Sequence, residues 1–145
     1  MNTAIIGAGL MCKRRAPVLI NSKNSELKVI ASKDFSDAKA MAKKFNCEAA
    51  ENWKDVVLRK DIDAVIVCTP PHVHAEISIA AMNAGKHVLC EKPLSKEISE
   101  SVDMVNIAKK KGVILKCGFN HRHHPAINEG KRLLDQGFIG KPLFS

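Results

Sequence analysis

The sequence predicts an α/β fold, a doubly wound parallel sheet with helices on both faces. Three observations carry this expectation. β-branched runs alternate with helical patterns from the first residue, a glycine-rich turn follows the first run, and the stretch Ala64 to Cys68 is apolar without interruption, as in a strand covered on both faces.

The first strand is Asn2 to Ile6, and a helix begins near Leu10 after Gly7-Ala8-Gly9. Leu27 to Ala31 is the second apolar run. Asp34 then stands where an N-cap belongs, before a helix whose Ala38, Met41, Ala42 and Phe45 share one face. After Ala64 to Cys68, Thr69-Pro70-Pro71 ends ladder pairing, because proline has no amide donor and a fixed φ. The following helix places Ile77, Ala80, Ala81 and Ala84 together and stops at Gly85. Val88 to Cys90 is a short strand ended by Glu91-Lys92-Pro93. A helix from about Lys96 to Lys111 closes with three lysines, which suit the negative end of its dipole, and Gly112. Val113 to Cys117 is the last strand of the series, so the whole reads as Rossmann-like. Pro125 then opens a helix that Gly137 ends, and Leu143-Phe144-Ser145 reads as the opening of a further strand. Residues 1–120 are accordingly expected to form a dinucleotide-binding domain. Residues 121–145 are expected to be a linker helix and the start of a truncated substrate domain, whose remainder is missing from this chain.

Composition excludes several classes. With 46% hydrophobic and 26% charged residues the chain matches a globular domain. No segment reaches the ~18 apolar residues of a membrane span and no secretory signal is visible, so a cytoplasmic location without membrane contact is expected. Five cysteines, odd in number and without a Cys-x-x-Cys pair, read as reduced packing residues and not as a disulfide framework or zinc site. The net charge of +8 is compatible with nucleic acid, anionic phosphates or a solvated face. Aromatics at 4% with no tyrosine offer no stacking platform, and no DNA-binding motif is present, so nucleic acid is not expected as a partner. His121, His123 and His124 have chelating spacing, but no acidic or cysteine ligand accompanies them, and no metal is expected.

Three motifs carry chemistry. Gly7-Ala8-Gly9-Leu10-Met11-Cys12 holds the first two glycines of G-x-G-x-x-G between a strand and a helix. Gly7 would permit the turn and Gly9 a close approach of backbone to a pyrophosphate, with Cys12 in the third glycine's place. At the end of the second strand, Ser32-Lys33 suits a ribose 2′-phosphate better than a 2′-hydroxyl, which favours NADP over NAD; Arg14 or Arg15 could add charge. Asp34 remains open between helix cap and ribose acceptor. Lys92 stands at the carboxyl end of a strand, where ligands of doubly wound sheets bind, although a lysine at a strand end is usually just solvated.

Taken together, Gly7-Ala8-Gly9, Thr69-Pro70-Pro71-His72-Val73-His74, Glu91-Lys92-Pro93-Leu94, Gly118-Phe119-Asn120-His121-Arg122 and Ile139-Gly140-Lys141-Pro142 resemble the Gfo/Idh/MocA family of glucose-fructose oxidoreductase and inositol dehydrogenase relatives. The resemblance covers essentially the whole chain. It implies hydride transfer between NAD(P) and a hydroxyl-bearing carbon of a sugar, cyclitol or nucleotide-linked sugar. By the same likeness Lys92 would be the catalytic residue, bonding substrate and cofactor. Glu91 and Pro93 would shape its loop, Thr69, Pro70 and His74 would line the cofactor with Pro71 beside them, and Asn120 and Arg122 would lie near the nicotinamide and substrate. Family members continue into a second domain that carries the substrate wall, a further catalytic base and the oligomer interface. The chain alone is therefore expected to be an inactive cofactor-binding part of a homo-oligomeric oxidoreductase. A stand-alone NAD(P)-binding sensor or adaptor is the alternative, disfavoured because Glu91-Lys92-Pro93 is a reaction-site feature.

Overall fold

The computed structural model describes residues 1–141 and 143. The strand expected at Leu143 to Ser145 falls mostly on residues outside that set.

Six parallel strands form one sheet in the order β3-β2-β1-β4-β5-β6, with β1 Asn2–Ile6, β2 Glu26–Ala31, β3 Glu48–Ala50, β4 Ala64–Val67, β5 His87–Cys90 and β6 Leu115–Cys117. The helices are α1 Leu10–Ile20, α2 Phe35–Phe45, α3 Trp53–Leu58, α4 His74–Asn83, α5 Ile98–Lys111 and α6 Pro125–Asp135. Among the described residues no helix is long and apolar enough to cross a membrane.

Side chains alternate across the strands, and the two resulting cores explain the double winding. Ala4, Ile6, Val29, Ala31, Val65, Val67, Val88 and Cys90 point to one face, where Val56 and Val57 of α3, Ile77, Ala81 and Met82 of α4, and Met104 and Ala108 of α5 cover them. The intervening Ile5, Ile30 and Ile66 point to the other, under Cys12 and Ala16 of α1, with Met41 and Phe45 of α2 packed alongside. Every residue of β4 is buried. At roughly 1.5–3 kcal/mol for each fully buried Val or Ile side chain, that strand is a main anchor of both cores.

Several helix ends are set by single side chains. Asp34 caps α2, its Oδ1 accepting from the Ser36 amide at 2.9 Å and the Asp37 amide at 3.4 Å. Glu97 and Glu100 form a reciprocal capping box at the start of α5, and Gly112 ends that helix in the left-handed region. β3 and α3 are additions to the elements that sequence patterns predict. β3 is three residues long and, among the described residues, pairs only with β2 at the sheet edge; α3 has six residues. Neither is long enough to show a period.

The register places Ala50, Ala31, Ile6, Val67, Cys90 and Cys117 in one row across the sheet. The residues just beyond that row therefore share one edge, which is where the chemistry-bearing motifs fall. Hydrogen bonds carry the ladder past the row: the Gly7 amide donates to Ala31 O at 2.7 Å, the Cys68 amide to Ile6 O at 2.7 Å, and the Gly118 amide to Cys90 O at 2.7 Å.

Candidate functional site

Strand order reverses between β1 and β4, since the chain runs outward from β1 to β3 and then returns to β4. Open sheets of this kind place their ligand crevice outside the carboxyl ends at such a point. Here the crevice encloses about 930 Å³ and is lined by Gly7 through Met11 from the β1–α1 turn, Ser32 and Lys33 after β2, and Thr69 and Pro70 after β4.

The two glycines of the first turn serve different purposes. Gly7 has φ +104, and a Cβ there would stand 2.7 Å from the backbone carbon and oxygen of Cys68. The close approach of β1 to β4 therefore demands glycine at position 7. At Gly9 a Cβ would meet no atom of the described residues within 4 Å, and the backbone is extended (φ −78). No described residue packs where that side chain would stand, so position 9 is open.

That crevice fits a diphosphate. Gly9 caps α1 without a side-chain hydrogen bond, and no acidic residue stands in the first turn. The leading amides of an 11-residue helix are thus left for an anion, which the helix dipole also favours. Thr69, in the opposite wall, has a buried hydroxyl with no hydrogen-bond partner among the described residues. Cys12, at the position of the third glycine, is fully buried against β1 and β2 in the core beneath α1, and burial pushes its thiol up to about 11. It is a packing residue rather than a nucleophile.

The remaining motif residues divide into two groups. Pro71 opens the 3-10 turn Pro71–Val73 and is exposed; Lys92, Asn120 and Arg122 are exposed on the loops after β5 and β6, at the same edge of the sheet but outside the crevice walls. Glu91 and His74 are internal. The His74 ring is 1% exposed, with Nε2 2.7 Å from Thr69 O and Nδ1 2.8 Å from Pro93 O. It lies behind the crevice and ties the Thr69 loop to the Lys92 loop.

Arg15 does not reach the β2 end, as a role in phosphate selection would require. Its guanidinium is committed to Glu91 and Asn120. Asp34 likewise spends its Oδ1 on the α2 cap, and the crevice residues that directly follow β2 are Ser32 and Lys33.

Sequence patterns missed a third part of the wall. Glu51, Asn52 and Trp53, at the β3–α3 junction, line the crevice beside Ser32, and His72 and Val73 face it from the β4 side. The Ser32 amide donates to Ala50 O at 3.1 Å, which brings the ends of β2 and β3 together. The one available signal was Asn52, a good N-cap residue directly before Trp53-Lys54-Asp55. Among the described residues no cluster of three or more His, Cys, Asp or Glu side chains could hold a metal.

Residues 1–119 match the Gfo/Idh/MocA family described as an oxidoreductase family with an NAD-binding Rossmann fold. Levoglucosan dehydrogenase from Pseudarthrobacter phenanthrenivorans is 35% identical over 99% of this chain and 39% of its own length. A dTDP-3,4-didehydro-2,6-dideoxy-alpha-D-glucose 3-reductase from Streptomyces violaceoruber is 33% identical over 92% of this chain and 39% of its own. A 3-ketoreductase from Actinomadura kijaniata, crystallised with TDP-benzene and NADP, superposes with a TM-score of 0.91 at 33% identity, over 97% of this chain and 45% of that one. The chain thus spans about two fifths of the curated relatives it matches. It belongs to the Gfo/Idh/MocA oxidoreductase family.

Proposed function

We propose that this Gfo/Idh/MocA family member holds NADP, in preference to NAD, across the β1–β4 crevice, and that the whole protein oxidises or reduces a carbon of a sugar, cyclitol or nucleotide sugar. The observation that carries the reading is Gly9, whose missing side chain leaves open space over the uncapped N-terminus of α1. Related proteins act on sugars and nucleotide sugars, and the structural relative from Actinomadura kijaniata was crystallised with NADP.

The residues divide the work along the sheet edge. The amides of Gly9, Leu10 and Met11 would hold the diphosphate. Ser32 and Lys33 would take the ribose 2′-phosphate, the hydroxyl donating and the ammonium neutralising. Thr69 and Pro70 would form the wall behind the nicotinamide ribose. The bound nicotinamide supplies the hydride acceptor or donor. Lys92, at the end of β5, would bond the reacting hydroxyl oxygen and help move its proton, while Asn120 and Arg122 orient the substrate from the β6 end. Residues 121–145 would lead from this domain, 1–120, toward the substrate-binding part of the protein. The further base and the oligomer interface would belong to that part.

Calorimetry tests the cofactor reading. NADP should bind more tightly than NAD, and Lys33→Glu should reverse the order. Equal affinities would remove the role of Ser32 and Lys33, and absence of binding at millimolar dinucleotide would remove the reading altogether.

A further inference from the structure

We propose that Trp53 is the adenine-binding wall of the crevice, its indole lying against the base. The proposal rests on the dinucleotide reading above and extends it to a residue that no motif marks.

The placement follows from the sheet. In the reading proposed above, the diphosphate lies at the N-terminus of α1, between β1 and β4, and the nicotinamide on the β5 side, where the chain carries Lys92. The adenosine half must then run the opposite way, over the ends of β2 and β3. What it meets there is the pair Ser32 and Lys33, then Glu51, Asn52 and Trp53, with Pro70, His72 and Val73 across the crevice. Ser32 and Lys33 are polar and suit the ribose. The large planar group at that end is the indole.

Trp53 is held in place from several directions. It is the first residue of α3, and Asn52 caps that helix by accepting from the Lys54 amide at 3.0 Å. The Ser32 amide to Ala50 O bond fixes the preceding strand, and Arg59, just after α3, forks onto Glu48 of β3, donating from Nη1 at 2.6 Å and Nη2 at 3.1 Å. Trp53 packs against the core that α3, α4 and α5 share, stays half-buried, and is one of the residues that line the crevice. Lys54 Nζ lies 5.6 Å from its ring centroid. An aromatic wall so anchored, open to a crevice rather than sealed in the core, suits a planar base. Base–aromatic stacking tolerates any base and needs no hydrogen-bond code.

The chain contains one tryptophan and no tyrosine, so its intrinsic emission reports on position 53 alone. Titration of the chain with ADP-ribose should quench that emission saturably, over the same concentration range in which equilibrium dialysis shows binding. Nicotinamide mononucleotide, which lacks the adenine, should leave it unchanged. Trp53→Leu should weaken ADP-ribose binding about tenfold, and Trp53→Phe should restore most of it. Circular dichroism checks that both variants fold; should the leucine variant fail to, the titration of the unaltered chain decides by itself. ADP-ribose bound in dialysis with unchanged emission, or bound equally well by folded Trp53→Leu, overturns the proposal and leaves the dinucleotide reading standing. If neither ADP-ribose nor NADP is retained in dialysis at millimolar concentration, that reading falls and takes this one with it.

Discussion

The guanidinium of Arg15, on α1, closes onto the carboxylate of Glu91 at the end of β5, with Nε 2.6 Å and Nη2 2.5 Å from the same oxygen, Oε1. Nη2 also donates to Asn120 Oδ1 at 2.9 Å. One side chain therefore joins the helix whose first turn faces the crevice, the strand end that carries Lys92, and the loop after β6. The side chains of Arg15 and Glu91 are 19% and 6% exposed, so little water competes for the pair. In the proposed function Arg15 touches neither cofactor nor substrate; it positions the loops that do.

Removing one partner of such a pair strands the other charge, at a cost of about 3–5 kcal/mol. Glu91→Ala should lose stability on that scale in urea unfolding. Arg15→Met combined with Glu91→Ala should recover a large part, because no buried charge remains. A cycle in which the two losses simply add would show that the pair does not couple the elements.

Gly118 tests the same node through packing. A Cβ at that position would stand 2.7 Å from Glu91 Oε2 and 3.1 Å from Arg15 Nη2. Gly118→Ala should cost about 1–3 kcal/mol alone, the range of overpacked sites. In a Glu91→Ala background the obstructing carboxylate is gone, and the same substitution should cost far less. An equal cost in both backgrounds would place its cause in the backbone instead.

Which parts of this were legible in the sequence follows from length and range. β4 is a run of four buried apolar residues and α5 a helix of 14 residues, so composition and period show them. Gly7, Ser32, Lys33 and Lys92 lie at strand ends that such runs locate. β3, with the sequence Glu-Ala-Ala, has no β-branched residue and no alternation to read, and Trp53 was lost with it. Arg15 to Glu91 spans 76 residues, and local pattern carries no trace of such a pairing. The role of His74 was equally hidden: the motif implies a residue that lines the cofactor, whereas the ring is buried between two carbonyl oxygens and is not among the crevice-lining residues.

The edge that the sequence concealed is held by charge, and acid should loosen it. Hydrogen bonds from Arg59 hold the Asp61 carboxyl down from 3.8 to about 2 and hold Glu48 below its ordinary value as well. A carboxylate depressed in the folded state adds stability above its unfolded value, and that gain disappears as pH falls toward the folded one. Arg59→Met should therefore melt below the unaltered protein near neutral pH, with the gap closing as pH drops from 3.8 toward about 2. Melting curves that keep a constant separation would show that the fork contributes nothing through these groups.

The two glycines of the first turn separate folding from binding. Gly7→Ala forces a side chain onto the Cys68 backbone at a positive φ, and no rotamer relieves a clash made by Cβ itself. Its cost should exceed about 2 kcal/mol, and whatever binding is lost should follow from lost structure. Gly9→Val adds a side chain at an extended φ, where no described atom lies within 4 Å of the Cβ. Stability should stay within about 0.5 kcal/mol of the unaltered chain, as at other open surface sites. NADP binding, measured by calorimetry on the folded variant, should nevertheless fall by at least about tenfold, because the valine branches stand where the diphosphate must meet the α1 amides. A Gly9→Val chain that folds and binds NADP normally would move the dinucleotide out of this crevice, since the open space over position 9 would then serve no ligand.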